Sequence, residues 1–402
     1  MMDGRAGADH RISHAIIRNG TIGAMEQLAP GTRWKWLGML TVLSPLIILS
    51  YYSVVGGWSI GYLFQSLTEG FHASDIGTVS SAYAKFISSP GLPLVFHTVF
   101  LLGCAVIVSA GVKSGIEKCN KITMPLLFAL IVLIMTYSLS LPGAKEGVAY
   151  LVKPDFSKIT PSAVAAAMGQ SFFSLSLGVG TILTYASYSR REENILATGL
   201  GTVGFDLLFA LIAGFAIMPA VFAAGIEPGA GPGLIFETLP YIFAKMGAAV
   251  PWVSAVVAVL FFFTIVFAAF TSAISMYEVG VAYLVEQRKL SRHKATVLIF
   301  VGTWILGALC SLSFGPLAQT KLFGLSIFSF CDMLTSNFLM TFGGLLFVLF
   351  VGWKMDKAMV RDEFTVGGTS RFNCAVFDAF WFLLRYVAPV AIVVIFFTNF
   401  FA

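Results

Sequence analysis

Apolar residues come in long runs separated by short charged clusters. Nine of the runs, at about 36–64, 91–111, 122–141, 162–188, 196–223, 248–284, 295–313, 328–353 and 377–400, are of membrane-crossing length. A bilayer needs roughly 20 apolar residues in a helix. Two of the runs are much longer than that, which predicts tilt or extension into water. The pattern is that of an all-α polytopic membrane protein.

Composition leads to the same class. Apolar residues make up 57% of 402 positions and charged residues 11%, where a soluble domain carries about a quarter charged. The net charge of +5 is spread over small groups between runs rather than gathered in one stripe, which argues against a nucleic-acid partner. It fits the excess of basic residues in cytoplasmic loops. With residues 1–35 inside, eighteen of the 25 lysines and arginines fall in cytoplasmic segments and six outside. Nine spans then place the carboxy terminus in the periplasm. Residues 1–35 have no long apolar core and read as a cytoplasmic segment, weakly amphipathic over Ile12–Met25 and lying along the membrane face. Residues 36–400 form the transmembrane domain. Its external loop 224–247 is rich in Gly and Pro, and Leu234–Phe243 either folds back toward the protein as a lid or forms an ordinary loop. The five cysteines show no CxxC or Cys/His ligand spacing, so neither a disulfide framework nor a metal site built on them is expected.

Polar residues inside the runs mark where chemistry could reside. Gln170–Gly180 sets serines and two glycines in the middle of the fourth run. Such residues either let helices pack closely or mark an unwound segment whose freed carbonyls face an ion. Asp206 is a carboxylate among Phe205, Leu207 and Leu208, expensive at membrane depth unless it has a function or a partner on a neighbouring helix. Thr271 and Ser272 either bond back to their own helix or offer a sodium ion neutral oxygens. Glu278 is placed to pair with a basic loop residue. The Tyr51–Tyr52 pair lies mid-span, where a hydroxyl needs a partner.

In order along the chain, Ser50–Trp58, Gly111–Lys118, Gly169–Gly178, Thr184–Tyr188, Gly231–Phe236, Phe270–Ala273 and Lys289–Arg292 resemble the neurotransmitter:sodium symporter family. Its bacterial members share the leucine-transporter fold, two inverted five-helix repeats around a midplane site. The resemblance implies sodium-coupled symport of an amino acid by alternating access across the bacterial inner membrane, and not an enzyme. It assigns Tyr52 to the substrate carboxylate, with Ile48 one turn away. Phe173 becomes an aromatic lid, Ser176 an unwound substrate contact and Val179 an apolar wall, while Ala273 and Met276 close the pocket. Ser174 and Asp206 match ligands of a first sodium. The Ala268 carbonyl, Thr271 and Ser272 match those of a second. Asp332 reaches the position of the external gate acid only through an alignment with gaps. Chloride dependence and homo-oligomer formation are left open.

The resemblance also departs from the family at the start. Nothing matches the family's first two helices, and Met1 falls where the second would end. The expectation is a truncated fold of about nine helices that does not transport as these 402 residues alone. The alternative is a non-transporting remnant, or a membrane binding or regulatory subunit.

Overall fold

The computed structural model describes residues 20–72, 75–186, 193–225 and 232–401. Most of Ile12–Met25 therefore lies outside the described residues, as does 226–231 of the external loop. The chain opens with a short helix α1 (Gly20–Leu28), then α2 (Lys35–Thr68), a short α3 (Ile76–Ser88), α4 (Leu92–Ser109) and α5 (Gly115–Leu139). Next come α6 (Ala144–Val152), α7 (Pro161–Ser174), α8 (Thr181–Ala186), α9 (Ile195–Ala223) and α10 (Leu239–Ala249). The last elements are α11 (Pro251–Arg288), α12 (Arg292–Leu312), a two-stranded hairpin β1 (Lys321–Leu322) and β2 (Leu325–Ser326), α13 (Ile327–Lys354), α14 (Lys357–Phe364) and α15 (Arg371–Thr398).

Eight of these helices (α2, α4, α5, α9, α11, α12, α13 and α15) are long and apolar enough to cross a membrane. The remaining run, 162–188, is not one helix as its apolarity alone suggests. It divides into α7 and α8, with Leu175–Gly180 outside either helix.

Local chemistry sets several helix starts. Asp75 caps α3 by accepting the Thr78 amide at 2.9 Å. Thr160 accepts the Ala163 amide at 3.1 Å ahead of Pro161, whose fixed φ suits a first helical position. Asn194 accepts the Ala197 amide at 3.1 Å and the Asn373 side chain at 2.8 Å, tying the start of α9 to α15.

Helix α2 is the central element and packs against α11, α4 and α12. Hydrocarbon gives no hydrophobic drive for one helix to prefer another, so close approach depends on small residues. Gly57 provides it: a Cβ there would lie 2.5 Å from the His97 backbone nitrogen of α4. At one end of α2, Trp58 is buried among the rings of Phe236, Phe314 and Phe328. Phe236 belongs to the turn before α10. That turn and α10 dip back into the protein and bury Leu239, Ile242 and Phe243. Tyr83 of α3 stacks on Phe236 at 5.9 Å, and burial, then the nearby Glu237 carboxylate, push its phenol above the usual range. The peripheral helices are less buried, with α9 packed against α5 and α6, and α15 against α13 and α7.

Candidate functional site

The break between α7 and α8 is the most distinctive backbone feature of the membrane domain. The end of α7 closes as a Schellman motif: the Leu177 amide reaches back to the Phe172 carbonyl at 2.9 Å, and the Ser176 amide to Phe173 at 3.1 Å. That geometry puts Ser176 in the left-handed region at φ +52°, a place glycine usually takes, at a cost of about 1 kcal/mol. Gly178 follows at φ +79°, and a Cβ there would meet the Met340 carbonyl oxygen at 1.9 Å, so only glycine fits. The Gly180 amide then bonds the Thr41 carbonyl of α2 at 2.9 Å, and α8 begins.

Two candidate cation ligands meet at this break. The Ser174 hydroxyl, on the last residue of α7, donates to Asp206 Oδ1 of α9 at 2.6 Å. The carboxyl end of a helix carries partial negative charge. A carboxylate, a hydroxyl and a helix carboxyl end form a hard-oxygen set that suits a sodium ion. Both side chains remain accessible, Ser174 exposed and Asp206 half-buried.

A second polar group runs between α2 and α11. The Tyr52 hydroxyl lies near Ser272. Thr271 bonds back to the Ala268 carbonyl at 2.9 Å, the ordinary behaviour of a helical hydroxyl. Ser275, one turn on, donates to the Thr271 carbonyl at 3.0 Å and pairs with Tyr185 of α8 at 2.8 Å. The α11 hydroxyl ladder thereby touches both α2 and the segment just after the break.

The apolar candidates divide. Ile48, Val179, Ala273 and Met276 are buried in one cluster against which Tyr52 packs. Phe173, expected to cover a pocket, is 40% exposed. Ser176 lines a groove of about 490 Å³ along the break, with Gly178 and Val179 on one wall and Gly344 of α13 and Ile392 of α15 on others. No charged side chain lines the groove among the described residues.

Other polar residues find partners on distant helices, some of which escape a reading of the sequence. Adjacent tyrosines point about 100° apart on a helix, so Tyr51 reaches elsewhere and pairs with Thr335 of α13 at 3.1 Å. Asp332 is held by Ser336 at 3.1 Å, one turn along α13. Glu278, fully buried, is paired by Arg292, whose Nε also donates to the Val108 carbonyl at 2.8 Å. One guanidinium therefore joins α11, α12 and α4. Glu286 keeps one carboxylate oxygen buried without a hydrogen-bond partner among the described residues. The lone sign of it in the sequence is a carboxylate two turns beyond Glu278 on the same helix.

Comparison with known proteins follows the fold and these positions. Residues 76–402 match the model of the sodium:neurotransmitter symporter family. An uncharacterized sodium-dependent transporter of Bacillus subtilis, YhdH, is 35% identical over 375 residues, covering 93% of this chain and 82% of the relative. One from Haemophilus influenzae is 36% identical, covering 92% and 79%. Among solved structures, MhsT in complex with L-phenylalanine superposes with a TM-score of 0.84 at 37% identity, over 98% of this chain and 88% of that one.

Proposed function

The chain belongs to the sodium:neurotransmitter symporter family, and from that premise we propose that it moves an apolar or aromatic amino acid into a bacterial cell with sodium. Sodium-coupled transport by a multi-pass membrane protein follows from the family itself. The amino-acid substrate and the residue roles are our reading. The observation that carries it is the Ser174–Asp206 contact at the break of α7 and α8. A broken helix exposes backbone and helix ends at mid-membrane, where an ion and a zwitterion both need polar partners.

In this reading Ser174 and Asp206 hold one sodium, and the Ala268 carbonyl, Thr271 and Ser272 hold another. Tyr52 gives its hydroxyl to the substrate carboxylate, exchanging Ser272 for it. Ile48, Val179, Ala273 and Met276 form the apolar wall, Ser176 offers the unwound backbone, and Phe173 swings over the bound molecule as a lid. The wall supports a branched or aromatic side chain, and a neighbour holding phenylalanine supports the same class. The cluster Arg288, Lys289, Arg292 and Lys294 faces the cytoplasm, so the amino-terminal segment is inside and the 313–326 hairpin lies in the periplasm.

The test is uptake of labelled phenylalanine and leucine by cells expressing the protein, with sodium or choline outside. We expect sodium-dependent uptake, and a rise of at least about tenfold in the half-saturating sodium for Asp206→Ala, the loss of about 1.4 kcal/mol at one ion site. Uptake equal in choline, or an Asp206→Ala variant with unchanged sodium dependence, would sink the proposal.

A further inference from the structure

Two thiols outside the transport site lie against each other. Cys310 is near the end of α12 and Cys331 near the start of α13, and their sulfur atoms are 3.9 Å apart. Both are buried, at 0% and 5% exposure. The connection between the two helices is fixed at both ends. Lys321 pairs with Ser326 across the β1–β2 hairpin. The Ser313 hydroxyl donates to the Cys310 carbonyl at 2.7 Å and accepts the Phe328 amide at 3.3 Å. The backbones that carry the two sulfurs are thus held together by bonds other than their own. Closing the remaining gap to a covalent bond takes a movement of about 2 Å. Among the described residues no hydrogen bond joins a sulfur of Cys104, Cys119 or Cys374 to another cysteine, whereas one joins Cys310 to Cys331.

We propose that Cys310 and Cys331 are joined in the mature protein as a disulfide that staples α12 to α13 at the periplasmic end. The inference rests on the orientation proposed above, because disulfides persist in the periplasm and not in the cytoplasm. The oxidant is a thiol oxidoreductase carrying a disulfide in that compartment, acting while the hairpin is still exposed during insertion. One cysteine thiolate attacks the oxidant's disulfide, forming a mixed disulfide and releasing one oxidant thiolate. The second thiolate attacks the mixed disulfide, forming the Cys310–Cys331 bond and releasing the other. Two electrons pass to the oxidant, and the two thiol protons end on its two sulfurs. Packing then buries the bond away from reductants.

The staple has a reach beyond the hairpin. The Cys331 carbonyl accepts the Thr335 hydroxyl at 2.9 Å, and Thr335 pairs with Tyr51 of α2. Fixing Cys331 therefore fixes the position of α13 against the central helix.

Thiol counting tests the pair. Cells are treated with N-ethylmaleimide and the full-length protein is denatured in its presence, so that every free thiol is capped before air can oxidise it. A mass tag is then added with and without prior reduction. The expected result is that reduction releases two thiols for tagging in the wild type and none in Cys310→Ser/Cys331→Ser. The reductant should also lower the melting temperature of the wild type by several degrees and leave that variant unchanged. If reduction releases no thiol from the wild type, or still releases two from the double variant, the staple is overturned. Orientation is read separately by Lys321→Cys in the double-serine background, with an impermeant maleimide on intact cells. Labelling only after lysis overturns the orientation, and a labelled Cys with no released thiols overturns the staple alone.

Discussion

Helices α2 and α9 are both apolar enough to span a bilayer, yet 61% of the apolar window of α2 is buried inside the protein and only 17% of that of α9. The buried helix is the less apolar of the two. Its buried face carries Thr41, Ser44, Ser50, Ser53, Ser59 and Ser66 beside closely packed glycines, whereas α9 presents Phe205, Leu207 and Leu211 outward. In water the more apolar helix would be the interior one. In lipid, apolarity marks only the right to enter, and small or hydroxylated residues mark where helices touch each other. The hydroxyls on α2 are harmless there because most bond a carbonyl one turn back, as Ser50 does to Leu46 at 2.8 Å.

The contrast can be broken most forcefully at the buried assembly. Glu278→Ala leaves Arg292 without its carboxylate partner and should cost about 3 kcal/mol, read as loss of thermal stability in detergent. Next comes a pair of matched substitutions. Gly57→Val drives a side chain into the α4 backbone and should cost about 2 kcal/mol. Gly204→Val on α9 meets open space and should change stability by less than about 0.5 kcal/mol. Equal losses for the two glycines would end the comparison. The smallest effect on stability belongs to Ser174→Ala, within about 0.5 kcal/mol because the residue is exposed. The same variant should still raise the half-saturating sodium severalfold, separating folding from ion binding at one atom.

Much of this was legible in the sequence for reasons that hold at short range. Charge clusters bound the spans, and the serines and glycines of 170–180 fall where the fourth run breaks. Glu278 was readable as a carboxylate in need of a cation, and Arg292 is that cation. What stayed hidden depends on how distant helices meet. Nothing local distinguishes Tyr51 from Tyr52, although one serves α13 and the other α11. The burial of His97 depends on Gly57 and Gly307, contributed by two other helices. The nearness of Cys310 to Cys331 is likewise a product of the hairpin between them. The amphipathic helices α3, α6 and α14 fell between runs, where the search for apolar length does not look.

The single backbone bond from Gly180 to Thr41 has a consequence in time rather than in space. While the bond is made, the Gly180 amide proton is shielded from solvent; each time the broken segment lifts from α2, it becomes free to exchange with deuterium. Its exchange rate is therefore a clock for that opening on the scale of minutes to hours. If Ser174 and Asp206 hold sodium as proposed, the ion should slow the clock, and the factor of slowing measures how firmly it holds the segment down.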